Sequence, residues 1–266
     1  MPAPSSPRIE RIAVLRAAVR AIEAGGVGEG RAFLPFGLAA LDGRLEGGGL
    51  AEAALHEIAG ALGNASDDAA ACLFAAGIAA RCAAGAGIAA RAAATNGTVL
   101  WAMGRRDLFA PGLAQAGLAP ERLIYAECGR DEDVLAVMEE GLRHGGLAAV
   151  VGEVGRAPMA ATRRLQLAAE QGGAMALMLR RRRRYGEDPL GLASAAMTRW
   201  RIGCMPSGAL SVPGVGRPRW HVALVRQRGG APFECLVESP DAEGRLALPA
   251  LPRHRPPAAE GERRAA

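Results

Sequence analysis

The sequence predicts an α/β fold with a mixed, mainly parallel central sheet flanked by helices and extended by antiparallel C-terminal strands. Three observations carry this. From Phe36 onward, short apolar runs alternate with amphipathic stretches, the rhythm of repeated β-α-β units. One run, Leu147-Ala-Ala-Val-Val151, is apolar without a break, as expected of a strand covered on both faces. After residue 190, strand signals follow one another with Gly/Pro turns between them, which reads as hairpins.

The elements follow in order. Ile9, Ile12, Leu15, Val19 and Ile22 recur at three- and four-residue spacing, so residues 7–24 form an amphipathic helix ended by Gly25-Gly26. With its glycine-rich linker this makes residues 1–30 an N-terminal arm, packed on the core, on a partner, or on a second copy as a self-association arm. The core spans 31–250, with strands at 54–59, 98–103, 122–126, 147–154 and 174–180. Helices are expected at 67–83, 107–116, 131–144 and 158–171, and the late strands at 196–204, 219–228 and 233–239. The Ala/Gly stretch 83–97 reads as a flexible loop, and the tail 251–266, which has no apolar face, as disordered.

At 266 residues and 27.4 kDa the chain suits one large domain with a sizeable core. A net charge of +5 permits contact with nucleic acid or an acidic partner without demanding it. All 32 basic residues are arginine, and with abundant Ala and Gly this fits a high-GC coding bias. Arginine in place of lysine therefore carries little weight at a surface position. The five cysteines are scattered with no CxxC, pointing to a reducing, cytoplasmic compartment. The start lacks a signal-peptide layout, and no apolar run is long enough to span a membrane.

One loop carries most of the chemical information. His56-Glu57-Ile58-Ala59-Gly60 reads as a strand running into a glycine, and Ala61–Asp68 lead into an Ala-rich helix. That is the setting of a phosphate-binding GxxxxGK[ST] loop with its first glycine at Gly60. Counting on through Gly63 and Asn64, the second glycine falls on Ala65, the lysine on Ser66 and the Ser/Thr on Asp67. A chain without lysine has no ammonium to bridge β- and γ-phosphates, and Asp67 and Asp68 stand where phosphate oxygens would lie. Their simplest reading is as acidic complements to a helix N-terminus.

The element order and local words resemble the RecA recombinase core: Phe36-Gly-Leu-Ala-Ala-Leu41-Asp42, Gly47-Gly-Gly-Leu50, then His56–Gly60. More specifically, the chain resembles the ImuA family, RecA-like members of a bacterial SOS mutagenesis cassette. The words are Leu34-Pro-Phe-Gly-Leu38, Asp107-Leu-Phe-Ala-Pro-Gly-Leu113, Gln115–Tyr125, Met138–Val154, Thr162–Leu167 and Thr198-Arg-Trp-Arg201. The resemblance covers roughly residues 8–250. It implies a partner of the ImuB type, polymerase-like but without catalysis, and an error-prone C-family DNA polymerase, which together copy past damaged bases. It places ImuB contact in the C-terminal part, and leaves RecA itself and single-stranded DNA as further contacts.

Against the RecA pattern, four catalytic roles are missing at once. The lysine and the Mg²⁺-linked hydroxyl are absent, and the Walker B aspartate falls on Gly152 with Glu153 one position late. Where a water-activating glutamate should follow strand 98–103, Gly104-Arg105-Arg106 stand instead. The chain is therefore expected to be no enzyme, with no cofactor and no metal. Its positive feature is Arg180-Arg181-Arg182-Arg183-Arg184-Tyr185, where the resemblance places a DNA-binding loop. Guanidiniums would neutralise phosphates and Tyr185 would stack on a base; the plainer alternative is a solvated strand end pairing with Glu187 and Asp188. Arg163-Arg164 read as a wet helix face, and Trp101, Trp200 and Trp220 as core or interface. The function expected is a non-catalytic adaptor in SOS-induced translesion synthesis. The alternatives are an active RecA-family DNA-dependent ATPase or recombination mediator, and an SOS-linked cell-division inhibitor.

Overall fold

The computed structural model describes residues 31–85, 97–181, 187–208, 210 and 213–249. The N-terminal arm, most of the 83–97 loop, Arg182–Tyr185 and the tail lie outside the described residues. A small antiparallel pair, β1 (Phe33–Leu34) with β2 (Leu50–Ala51), precedes the main sheet and brackets a short helix, α1 (Ala39–Asp42). The sequence reading missed this unit. It closes because the Asp42 carboxylate accepts the backbone N–H groups of Phe36, Gly37 and Leu38 at 2.7, 2.8 and 3.0 Å.

The main elements are β3 (Leu55–Gly60), α2 (Ala65–Ala83), β4 (Val99–Met103), α3 (Ala110–Gln115), β5 (Leu123–Glu127), α4 (Asp131–His144), β6 (Ala149–Val154), α5 (Met159–Gly172), β7 (Met175–Arg180), β8 (Thr198–Met205), β9 (Arg219–Gln227) and β10 (Phe233–Glu238). The eight strands order as β10-β9-β8-β3-β7-β6-β4-β5. From β8 to β5 neighbours run parallel, while β9 and β10 add antiparallel. The mixed, mainly parallel sheet with late antiparallel strands is thus the one the sequence predicts.

Boundaries moved for local reasons. Helix α2 starts at Ala65 because the Asn64 side chain caps it, accepting from Asp67 N–H at 2.7 Å. Helix α3 starts only at Ala110, because Phe109 is extended and Pro111 suits a first turn. Helix α4 places Asp131, Glu132 and Asp133 in its first turn and Arg143 and His144 in its last, complementing its dipole. Gly145 then ends it in the left-handed conformation.

Two cores sit on either side of the sheet. On the α2 face, Phe36, Phe74, Trp200, Trp220 and Phe233 pack ring against ring around Ile58 and Val151. On the α4/α5 face, Leu55, Met138, Val150, Leu165 and Met178 form the second core. The three tryptophans are buried, so they belong to the core. The unbroken apolar run predicts a covered strand, and β6 is buried at all six positions.

Candidate functional site: a filled loop and an adjacent crevice

The loop after β3 is folded around a carboxylate of its own chain. Asp67 is 2% exposed. Its Oδ2 accepts from Leu62 N–H at 2.9 Å and from Asn64 Nδ2 at 3.2 Å, and its Oδ1 accepts from Cys204 N–H on β8 at 2.8 Å. Beside it Ala61 N–H donates to Ile202 O at 2.9 Å and Cys204 Sγ lies 3.2 Å from Ser66 O. The loop is tied down along β8, and an internal carboxylate takes backbone amides of the kind that would face an anion. Asp67 therefore does more than complement a helix dipole. Gly60 lies under the start of α2; a Cβ on it would stand 2.6 Å from Asp68 Oδ1. Gly63 turns the loop at φ +66°, in the left-handed region. Ala65 and Ser66 open α2, with Ser66 at the lysine position.

The register on β6 differs from the expected one. Gly152 faces α4, where a Cβ would meet Met138 Sδ at 2.1 Å, so no carboxylate fits there. The acidic residue on the loop side is Glu153, in step with Val151 of the α2-face core. Its Oε1 accepts from Trp101 Nε1 at 2.9 Å and its Oε2 from Arg181 Nε at 2.9 Å. Burial is the largest single influence and works against the Arg181 charge, but Glu153 and the negative groups around it together outweigh burial and hold the guanidinium above its usual value. Burial, reinforced by Glu153, pushes the nearby Cys72 thiol up to about 12, so it stays protonated.

The arginine run divides. Arg180 is 3% exposed and is not available to a phosphate, correcting its place among the DNA-contacting candidates. It points to the α5 face, where Glu57, itself fully buried, is shared with Arg199: Nη1 of Arg180 lies 3.4 Å and Nε of Arg199 2.6 Å from the carboxylate. Burial lowers the Arg180 pKa, and Glu57 opposes that. Arg181 points to the opposite face, three-quarters buried on Glu153. Neither pairs as the solvated-end reading expected, since Asp188 binds Arg201 instead. Arg182, Arg183, Arg184 and Tyr185 fall outside the described residues.

Sequence reasoning missed the crevice that Arg181 borders. Strand β4 hands the chain to α3 on the α2 face, whereas β6 hands it to α5 on the other face. Such a switch opens a cleft at the carboxyl ends of parallel strands. Here it holds a cavity of about 520 Å³, floored by Gly104, Gly129 and Gly155. A second cavity of about 320 Å³, between α2 and α3, shares Arg105 and Arg181 with the first. Among the described residues around both, the carboxylates of Asp68, Asp107, Asp131, Glu132 and Glu153 outnumber the guanidiniums of Arg105, Arg130 and Arg181. Among the described residues no group of three His, Cys, Asp or Glu is placed to hold a metal ion, and no helix is long and apolar enough to cross a membrane.

This arrangement, a sheet with its loop at β3 and antiparallel strands beyond β8, is a RecA-like fold. The crystal structure of the RadB recombinase superposes on 82% of this chain and 100% of its own, with a TM-score of 0.50 and 16% identity, and so supports the fold. No family model matches the sequence. The chain is 36% identical over 214 residues to Protein ImuA of two Caulobacter vibrioides strains, covering 79% of this chain and 84% of theirs. It belongs to the ImuA family.

Proposed function

We propose that this chain is a non-catalytic RecA-like adaptor in SOS-induced, error-prone translesion DNA synthesis, a cytoplasmic partner of an ImuB-type polymerase-like protein and, through it, of an error-prone C-family DNA polymerase. Membership of the ImuA family supports the pathway. The observation that carries the non-catalytic reading is Asp67: a chain carboxylate lies on the amides of Leu62 and Cys204, and Ser66 stands where a lysine would be needed. A nucleotide phosphate would have to displace a buried negative charge with no ammonium to receive it. Partner contact is assigned to the chain after residue 190, and single-stranded DNA contact to Arg182, Arg183, Arg184 and Tyr185.

The decisive measurement is titration of the purified protein with a fluorescent ATP analogue and Mg²⁺, followed by phosphate release with and without single-stranded DNA. No binding and no DNA-stimulated turnover are expected; DNA-stimulated turnover by the unaltered chain would overturn the reading, the more firmly if Asp67→Ala changes it. Co-purification of the full chain with the ImuB-type protein, weakened by Met205→Glu and Leu236→Glu at exposed positions after residue 190, tests the partner assignment.

A further inference from the structure

We propose that the crevice beyond β4, β6 and β7 is a docking site for a partner-protein segment carrying an apolar side chain beside an arginine. The inference rests on the reading that the loop holds no nucleotide. The smaller cavity has apolar walls from Cys72, Leu73, Leu108 and Leu113. At its mouth stands Phe109, 70% exposed, while every other described phenylalanine and tryptophan is buried or half-buried. A chain with so few aromatic residues that leaves an unsubstituted phenyl ring in water at the lip of an apolar hollow has the makings of an anchor pocket.

Charge selects the second half of the occupant. On a chain of net charge +5, the described residues of this crevice gather five carboxylates against three guanidiniums. Such an excess of carboxylates favours a cation inside the crevice. An arginine fits better than a lysine, because its planar fork pairs with a carboxylate edge-on and stacks on an exposed ring such as Phe109. The apolar neighbour would fill the hollow over Leu73 and Leu113, and the guanidinium would reach Asp107 at the rim. Asp107 is 40% exposed on its side chain and is held by Arg105 at 3.0 Å, an exposed pair that an incoming arginine exchanges at little cost.

The test uses the full chain and two fluorescein-labelled peptides, one with a Leu-Arg-Leu core and one with Leu-Glu-Leu, read by fluorescence anisotropy. The Leu-Arg-Leu peptide should bind more tightly by about tenfold, and Phe109→Ala and Asp107→Asn should each weaken it by about fivefold or more. Both side chains are surface-placed, and an unchanged melting temperature confirms that the variants fold. Equal affinity for the two peptides, no binding up to millimolar concentration, or indifference to both substitutions overturns the proposal. Truncation after Pro249 should change nothing; a several-fold gain would assign the crevice to the chain's own basic tail and overturn the partner reading. Release of bound peptide by ATP with Mg²⁺ would instead sink the nucleotide-free reading on which the inference rests.

Discussion

Arg180 and Arg181 are neighbours in sequence and identical in chemistry, yet they serve opposite faces of the sheet. Arg180 ends β7 on the α5 face, where Glu57 is shared with Arg199 and water is shut out. Arg181 steps to the α2 face, where Glu153 holds it at the edge of an open crevice. The alternation of a strand places one cation in a sealed network and the next where a ligand can come. The first has a structural role. The second borders the place where function is sought.

The sealed face should be the more fragile. Glu57→Gln removes the carboxylate that two buried guanidiniums share, while Arg180 Nε and Arg199 Nη2 already find no hydrogen-bond partner among the described residues. Breaking one side of a buried ion pair typically costs about 3–5 kcal/mol, so chemical denaturation should find this variant barely folded. A loss below about 1 kcal/mol would show that water reaches the pair, and would erase the contrast between the faces.

The α2 face has a sealed polar group too, at the amino end of β3. His56 is fully buried between Thr198 Oγ1 at 2.7 Å and Ala51 O at 2.8 Å, and burial lowers its pKa from 6.5 to about 4. The folded chain keeps it neutral down to about pH 4, whereas the unfolded chain takes up a proton below about 6.5. Stability is therefore complete above 6.5 and falls as the pH drops towards 4, by about 3 kcal/mol in all from this group. Urea titrations across that window should show the slope in the wild type and a flatter one in His56→Gln. Equal slopes would place the acid sensitivity elsewhere.

A smaller effect is expected at the filled loop. Asp67→Ala leaves the amides of Leu62 and Cys204 without their acceptor, a loss of about 1–3 kcal/mol. Sulfate or phosphate at high concentration should restore part of the melting temperature to this variant and not to the wild type beyond the general salt effect. Absence of that differential rescue would show that the loop rearranges instead of presenting an empty anion cradle.

The sequence made the sheet legible because periodicity reports burial: β6 reads as covered on both faces and is. It made the broken loop legible because a lysine is either present or not. Three things required the third dimension. The partner of Asp67 is an amide on β8, 137 residues away, and no local spacing encodes that contact. The register of β6 turns on which residue meets Met138: Gly152 does, so the acidic residue on the loop side is Glu153, the one counting placed a position late. An arginine run looks like a solvated cluster until strand alternation sends its first member inward, as it does Arg180. The Asn64 cap, by contrast, could have been read from the sequence, since an asparagine three residues before an aspartate and an apolar run signals a helix start.

The mildest substitution tests the open side of the comparison. Glu153→Gln keeps the acceptor for Trp101 Nε1 and removes the charge that holds Arg181. Unlike Arg180, Arg181 has 23% of its side chain exposed and can turn into the crevice and hydrate, so the cost should be about 1 kcal/mol, well below that of Glu57→Gln. The freed guanidinium also shifts the crevice from five carboxylates against three cations to four against three. The same substitution should therefore weaken the Leu-Arg-Leu peptide slightly while leaving the fold intact, a pairing of effects measurable by melting temperature and anisotropy on one sample. A destabilisation as large as that of Glu57→Gln would mean that Arg181 is as sealed as Arg180, and that the crevice is part of the core.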